Sequence, residues 1–145
     1  MKNKNISFAI NQIVLPNAKF IDFVNLAKLL DISAIEIRND IANNLIKENN
    51  PQKIKDICKS RSIKIISINA LQKFNIWTDK RSKEFIALCE YATATGIEAI
   101  VLVPLNDGTI VDNKTQKELL QNSLKSIINI LDDYNLMGYI KTISF

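Results

Sequence analysis

The sequence alternates between two hydrophobic periods from one end to the other, and that alternation limits the folds open to it. Short apolar runs at "ISFAIN" (6–11), "SAIEIR" (33–38), "IKIISIN" (63–69), "EAIVLVP" (98–104) and "YIKTISF" (139–145) have the length of strands. Between them lie stretches with helical spacing. The segment at 18–31 puts Phe20, Val24, Ala27 and Leu30 on one stripe, and the one opening at Pro51 turns Ile54, Ile57 and Cys58 inward. A third, over 80–95, buries Phe85, Leu88, Cys89 and Ala92 and stops at Gly96; the longest follows at 114–135, with Gly138 leading on to the last strand. Strands separated by helices of this size imply right-handed crossovers and an α/β fold with a parallel sheet. Five strands and four helices fit either half of a TIM (β/α)8 barrel or an open flavodoxin-like sheet.

Side-chain parity favours the barrel. On the second strand Ile35 and Ile37 share one face, and Glu36 and Arg38 the other. A central strand of a doubly wound sheet has helices on both faces and should be apolar on both. A barrel strand instead has one face under helices and one toward the lumen, whose carboxyl-end mouth carries active sites. The third strand repeats the pattern, with Ile66 and Ile68 toward the helices and Ser67 and Asn69 inward. On the first, Phe8 and Ile10 share a face and Asn11 sits at the tip of the other. Asn11, Glu36, Arg38 and Asn69 thus converge on one cavity, and Trp77 lies on the long loop beyond it.

Composition narrows the rest. At 145 residues the chain is expected to form a single domain over 1–145. It has no apolar run of the roughly 20 residues a membrane helix needs, and its polar start carries no signal-peptide core, so no membrane and a cytoplasmic location are expected. The net charge of +4 comes from scattered lysines, not a basic run, so nucleic-acid binding has no support. Cys58 and Cys89 occupy apolar helical positions without CxxC spacing and read as buried reduced thiols. With no histidine in the chain, a histidine-activated nucleophile is excluded. The three glycines do not form a phosphate loop after the first strand.

In "IEIRND" (35–40), "SINALQKFNIWTDKR" (67–81), "CEYATATGIEAIVLVPLNDG" (89–108) and "GYIKTISF" (138–145), the chain resembles the xylose isomerase-like TIM barrels, a superfamily of sugar isomerases and epimerases that also contains the family-2 AP endonucleases. Within it the likeness is strongest to the 2-keto-myo-inositol (inosose) isomerases. The resemblance covers nearly the whole chain but only about half of a barrel, which typically needs about 250 residues. It implies proton transfer beside a carbonyl, assisted by a divalent metal such as Mn, Mg or Zn whose ligands come from strands five to eight. Where related sequences read G-x-I-E-P-L-G-F, with the glutamate as first ligand, this one reads "GYIKTISF", so Lys141 stands in the place of a carboxylate. The expectation is therefore that this chain holds no metal or other cofactor and is inactive alone.

The resemblance makes Glu36 the candidate catalytic group, as proton relay or hydrogen-bonding partner, and Arg38 and Asn69 the groups orienting substrate oxygens. Asn11, Trp77 and Asn106 complete the expected substrate contacts. All but Asn11 have a plainer reading beside this one. Glu36 and Arg38 could form a lumen ion pair that satisfies itself, Asn69 could cap the following loop, Trp77 with Phe74 could be packing and not a lid, and "NDG" at 106–108 could be only a turn. The expected ligand is a sugar or polyol. Half a barrel leaves two sheet edges and a lumen face uncovered, so the expected partner is a second copy in a homodimer or the C-terminal half-barrel of a longer protein. The other function considered is that of a non-catalytic keto-sugar or polyol binding module.

Overall fold

The computed structural model describes residues 7–42, 46, 50–105, 107–109 and 112–141. Within them the chain forms strand β1 (Ala9–Asn11) with a 3-10 turn after it (Gln12–Val14), helix α1 (Phe20–Leu29), β2 (Ala34–Arg38), α2 (Pro51–Lys59), β3 (Lys64–Gln72), α3 (Asp79–Thr95), β4 (Ala99–Val103), α4 (Asn113–Tyr134) and β5 (Met137–Ile140). All strand pairings are parallel. The strand order is β1-β2-β3-β4-β5, the order of the chain itself.

That order decides between the two architectures. A flavodoxin-like sheet reverses direction at a switch point, so its first strand ends up in the interior. Here no reversal occurs, and each crossover returns its helix to the same face. Phe23, Ala27, Ile54, Cys58, Phe85, Cys89, Ile127 and Leu131, drawn from the four helices, join Ile35, Ile37, Ile68, Ile100 and Leu102 of the sheet in one core. Among the described residues the opposite face carries a small separate cluster of Ala70, Val101 and Val103. The open-sheet alternative is thus ruled out, and the fold is half of a (β/α)8 barrel.

Local chemistry places the helix ends. Asn50 accepts from the Gln52 N–H at 2.8 Å, just ahead of Pro51, where the absent proline N–H costs nothing. Thr78 caps α3 through the Arg81 N–H, and Gly96, at φ +78°, closes it in the left-handed conformation. Asp112 takes the Lys114 and Thr115 N–H groups to open α4. Asn135 ends that helix at φ +53°. The chain therefore enters β5 at Met137, earlier than the hydrophobic run suggests, and Gly138 lies inside the strand. A Cβ on Gly138 would sit 3.0 Å from Leu131 Cδ1 and 3.1 Å from Leu102 Cδ1, so glycine lets α4 close on β5.

Three packing expectations need correction. Leu30 is exposed because α1 ends at Leu29, and Phe23, fully buried, takes its place on the stripe. Phe8 lies exposed ahead of β1. On β3, pairing runs Ile35 to Ile65 and then Glu36 to Ser67, so Ile66 is skipped by a bulge. The extra residue resets the alternation, and Ile65 joins Ile68 in the helix-side core while Ile66 does not. Past the bulge Ser67 and Asn69 face away from the helices, as expected.

Candidate functional site

Glu36 is the hub of the helix-free face. Its carboxylate accepts from Ser67 Oγ at 2.6 Å and from Asn69 Nδ2 at 3.0 Å, and Asn11 Nδ2 also donates to it. The three donors come from β1 and β3, the neighbours on either side of β2. Parallel registers make this possible, since Asn11 and Ser67 are the direct cross-strand partners of Glu36 and Asn69 is that of Arg38. Ser67 and Asn69 are buried and Glu36 is partly so. A half-buried carboxylate is costly unless its oxygens are hydrogen-bonded, and three neutral donors meet that need while leaving Glu36 without a cationic partner among the described residues.

Asn11 has a second task. Its Oδ1 accepts the Ile13 N–H at 2.8 Å and so caps the 3-10 turn that ends β1. In that turn Gln12 is buried; its Oε1 takes the Arg38 N–H at 2.9 Å, and its Nε2 has no hydrogen-bond partner among the described residues. Asn39 mimics a strand. The register slips again between Asn69 and Leu71, leaving Ala70 outside the ladder, and the Asn69–Ala70 peptide is cis. Asn39 Oδ1 accepts the Ala70 N–H at 2.7 Å and Asn39 Nδ2 donates to the Ala70 carbonyl at 3.1 Å, so both backbone groups are satisfied. Sequence reasoning missed Ser67 as a donor to Glu36 as well as these roles of Gln12 and Asn39. Parity had placed Ser67 on the right face, but its partner depends on the bulge.

Arg38 does not pair with Glu36. Its guanidinium grips Asp40 with two bonds, Nε to Oδ1 at 2.7 Å and Nη2 to Oδ2 at 2.5 Å, which is the fork geometry arginine favours. The ion pair between Glu36 and Arg38 is therefore replaced by one between the last residue of β2 and the loop that follows it. Asn69 points to Glu36 and does not cap the following loop; Asn75 ties that loop down by accepting the Leu105 N–H at 2.6 Å. Trp77 stands edge-on to Phe85 of α3, ring centroids 6.2 Å apart, and packs against the helix-side core in which Phe74 is fully buried. That is packing of loop on barrel wall, on the other side of the sheet from Glu36. Asn106 lies outside the described residues.

Glu36 and Asn69 line an open cleft of about 250 Å³ together with Val101, Tyr139, Ile140 and Lys141. Gly138 faces α4, so alternation along β5 turns Tyr139 and Lys141 toward the cleft. The Lys141 N–H bonds to the Leu102 carbonyl at 2.9 Å, which extends the ladder one residue beyond β5 and fixes this placement. Lys141 has no ion-pair partner among the described residues. Nor does any group of three His, Cys, Asp or Glu residues come together among them. One carboxylate already engaged by three donors, in a cleft that also holds a lysine, does not suit a divalent cation, which needs several free oxygen ligands.

No protein-family model matches the chain, and no curated protein does. Solved structures do. A xylose isomerase domain containing protein from Salmonella typhimurium LT2 superposes with a TM-score of 0.87 at 29% identity, over 95% of this chain and 50% of that one. The structural neighbours are xylose isomerase-like TIM barrels. The IolI protein, crystallised with a zinc atom, gives a TM-score of 0.82 at 21% identity over 93% of this chain and 51% of its own. D-Psicose 3-epimerase in the presence of D-fructose gives 0.72 at 15% identity over 96% and 53%. The chain spans about half the length of these neighbours. Among the described residues no helix is long and apolar enough to cross a membrane.

Proposed function

We propose that this chain forms one wall of a sugar isomerase- or epimerase-like site and binds a polyol or keto-sugar at the Glu36 cleft. The observation that carries this reading is the convergence of Asn11, Ser67 and Asn69 on Glu36 at the floor of an open cleft. A carboxylate held by three donors keeps a fixed direction for the one lone pair that remains, and a sugar hydroxyl is a donor that suits it. In this role Glu36 accepts from, or relays a proton of, a ligand hydroxyl. Asn11, Ser67 and Asn69 hold it in place. The resemblance to inosose isomerases adds 2-keto-myo-inositol to the ligands worth testing. Isothermal titration with 2-keto-myo-inositol, D-fructose and D-psicose tests the proposal: weak binding lost in Glu36→Gln supports it, and heats unchanged by that substitution refute it.

A second reading concerns partners, and exposed apolar side chains favour it. Met137, Tyr139 and Ile140 on β5 are about half exposed, as are Ile13 and Val14 beside β1, and these two strands are the edges of the sheet. Edge strands with apolar side chains call for a cover. The edges and cleft face would then be closed by a further (β/α) unit, with a second copy of the chain as the occupant to test. Light scattering that shows a dimer, broken by Tyr139→Lys, would support a homodimer; a monomer at high micromolar concentration would exclude it.

A further inference from the structure

The cleft holds two groups of opposite charge that do not neutralise each other. Glu36 is satisfied by amide and hydroxyl donors, while Lys141, turned to the same side of the sheet, finds no carboxylate within ion-pair distance among the described residues. An ammonium offers three donors and no acceptor. A neutral sugar would engage Glu36 through its hydroxyls and leave Lys141 to water. A ligand that is a polyol at one end and an anion at the other matches both groups.

We propose that the cleft selects polyhydroxylated ligands with an anionic end, a carboxylate or a phosphate, with the hydroxyls at Glu36 and the anion at Lys141. This rests on the reading of the cleft as a polyol site and adds its ligand class. The orientation is fixed by repulsion, since an anion placed at Glu36 would oppose its carboxylate. Val101 and Tyr139 line the stretch between the two ends and suit the C–H faces of the carbon chain. Because the cleft is open, the contribution of one ammonium is modest and screened by salt.

A matched series measures it: D-glucitol, D-gluconate and D-glucitol 6-phosphate, titrated into the full chain at low ionic strength and at 0.5 M NaCl. The anions should bind roughly five- to tenfold more tightly than glucitol at low salt, as expected for one exposed charge pair, and the gap should close in high salt. Whichever anion gains more identifies the end group. Lys141→Met should abolish the preference, and Lys141→Arg should keep it; circular dichroism confirms that both variants fold. Equal binding of all three ligands, or a preference that survives in Lys141→Met, overturns the proposal and leaves the polyol site standing. Failure of all three to bind in a Glu36-dependent way removes the polyol reading, and this inference with it.

Discussion

The two faces of the sheet are built to opposite plans. The helix-covered face interleaves branched aliphatic side chains with Phe23, Phe74 and Phe85, all fully buried. The other face carries Glu36 with its polar donors and a small apolar cluster of Ala70, Val101 and Val103, and of these Val101 shares the cleft with Glu36. Both faces are served by the same strands, so neighbouring residues have unrelated duties. Ile37 holds the helices on; Glu36, one residue earlier, organises a site. Stability should therefore belong to one face and ligand selectivity to the other.

The largest expected effect tests the first half of that division. Ile37→Ala leaves a cavity in a close-packed core and should lower unfolding free energy by about 2–5 kcal/mol in urea titrations. Leu102→Ala, on the same face of β4, should cost a similar amount. If either were neutral, the helix face would not be the structural one.

Alkaline pH attacks the same face from another side. Burial pushes the Cys58 thiol up to about 11 and the Cys89 thiol up to about 12, and the Tyr91 hydroxyl up to about 12. An unfolded thiol ionises near its ordinary value of 9.0. From there upward the native state binds more protons than the unfolded one, so stability falls as pH rises from 9 toward 12 and is unaffected by these thiols below 9. The urea midpoint at pH 8, 9.5 and 10.5 measures this decline. Native protein should also resist iodoacetamide at pH 8 and react once unfolded.

Gly138→Val probes the seam between α4 and β5. The added methyls meet Leu131 and Leu102, and a loss of about 1–3 kcal/mol is expected from overpacking. Glu36→Gln should cost about as much or less, roughly 1–3 kcal/mol, because one amide nitrogen cannot accept from the donors now serving the carboxylate. A loss from Glu36→Gln larger than that from Ile37→Ala would collapse the distinction between the faces. The smallest effect belongs to neither face. Lys64 and Glu98 pair at 2.7 Å with both side chains more than half exposed, and Lys64→Met should change stability by less than about 1 kcal/mol.

Much of this could be read from the sequence, and the misses share a cause. Alternation in "AIEIR" placed Glu36 correctly because β2 is short and regular. The same rule failed on β3, where the bulge at Ile66 is a matter of pairing with β2 and has no signature in the run of isoleucines. Trp77 carried two readings, a lid over the cleft and packing of its loop on the barrel, and position on a loop could not choose between them. Its partner, Phe85, lies on the next helix, and burial of two aromatic rings against the core outweighs a place over an open cleft. Strand parity offered an Arg38–Glu36 ion pair as one reading, but Asp40, two residues on, presents both carboxylate oxygens to the guanidinium.

By itself the sequence determined the order of elements, the capping that bounds α2 and α3, and which face of β2 would be polar. These follow from local preferences and from the periods of the backbone, which need no distant partner. Only the tertiary structure decided that Asn11, Ser67 and Asn69 serve one carboxylate, that a lysine shares its cleft, and that Asn39 replaces a strand for Ala70. Such pairings join residues 25 to 33 positions apart for Glu36 and 31 for Asn39. They are fixed by the register of parallel strands, and that register emerges only when the helices pack.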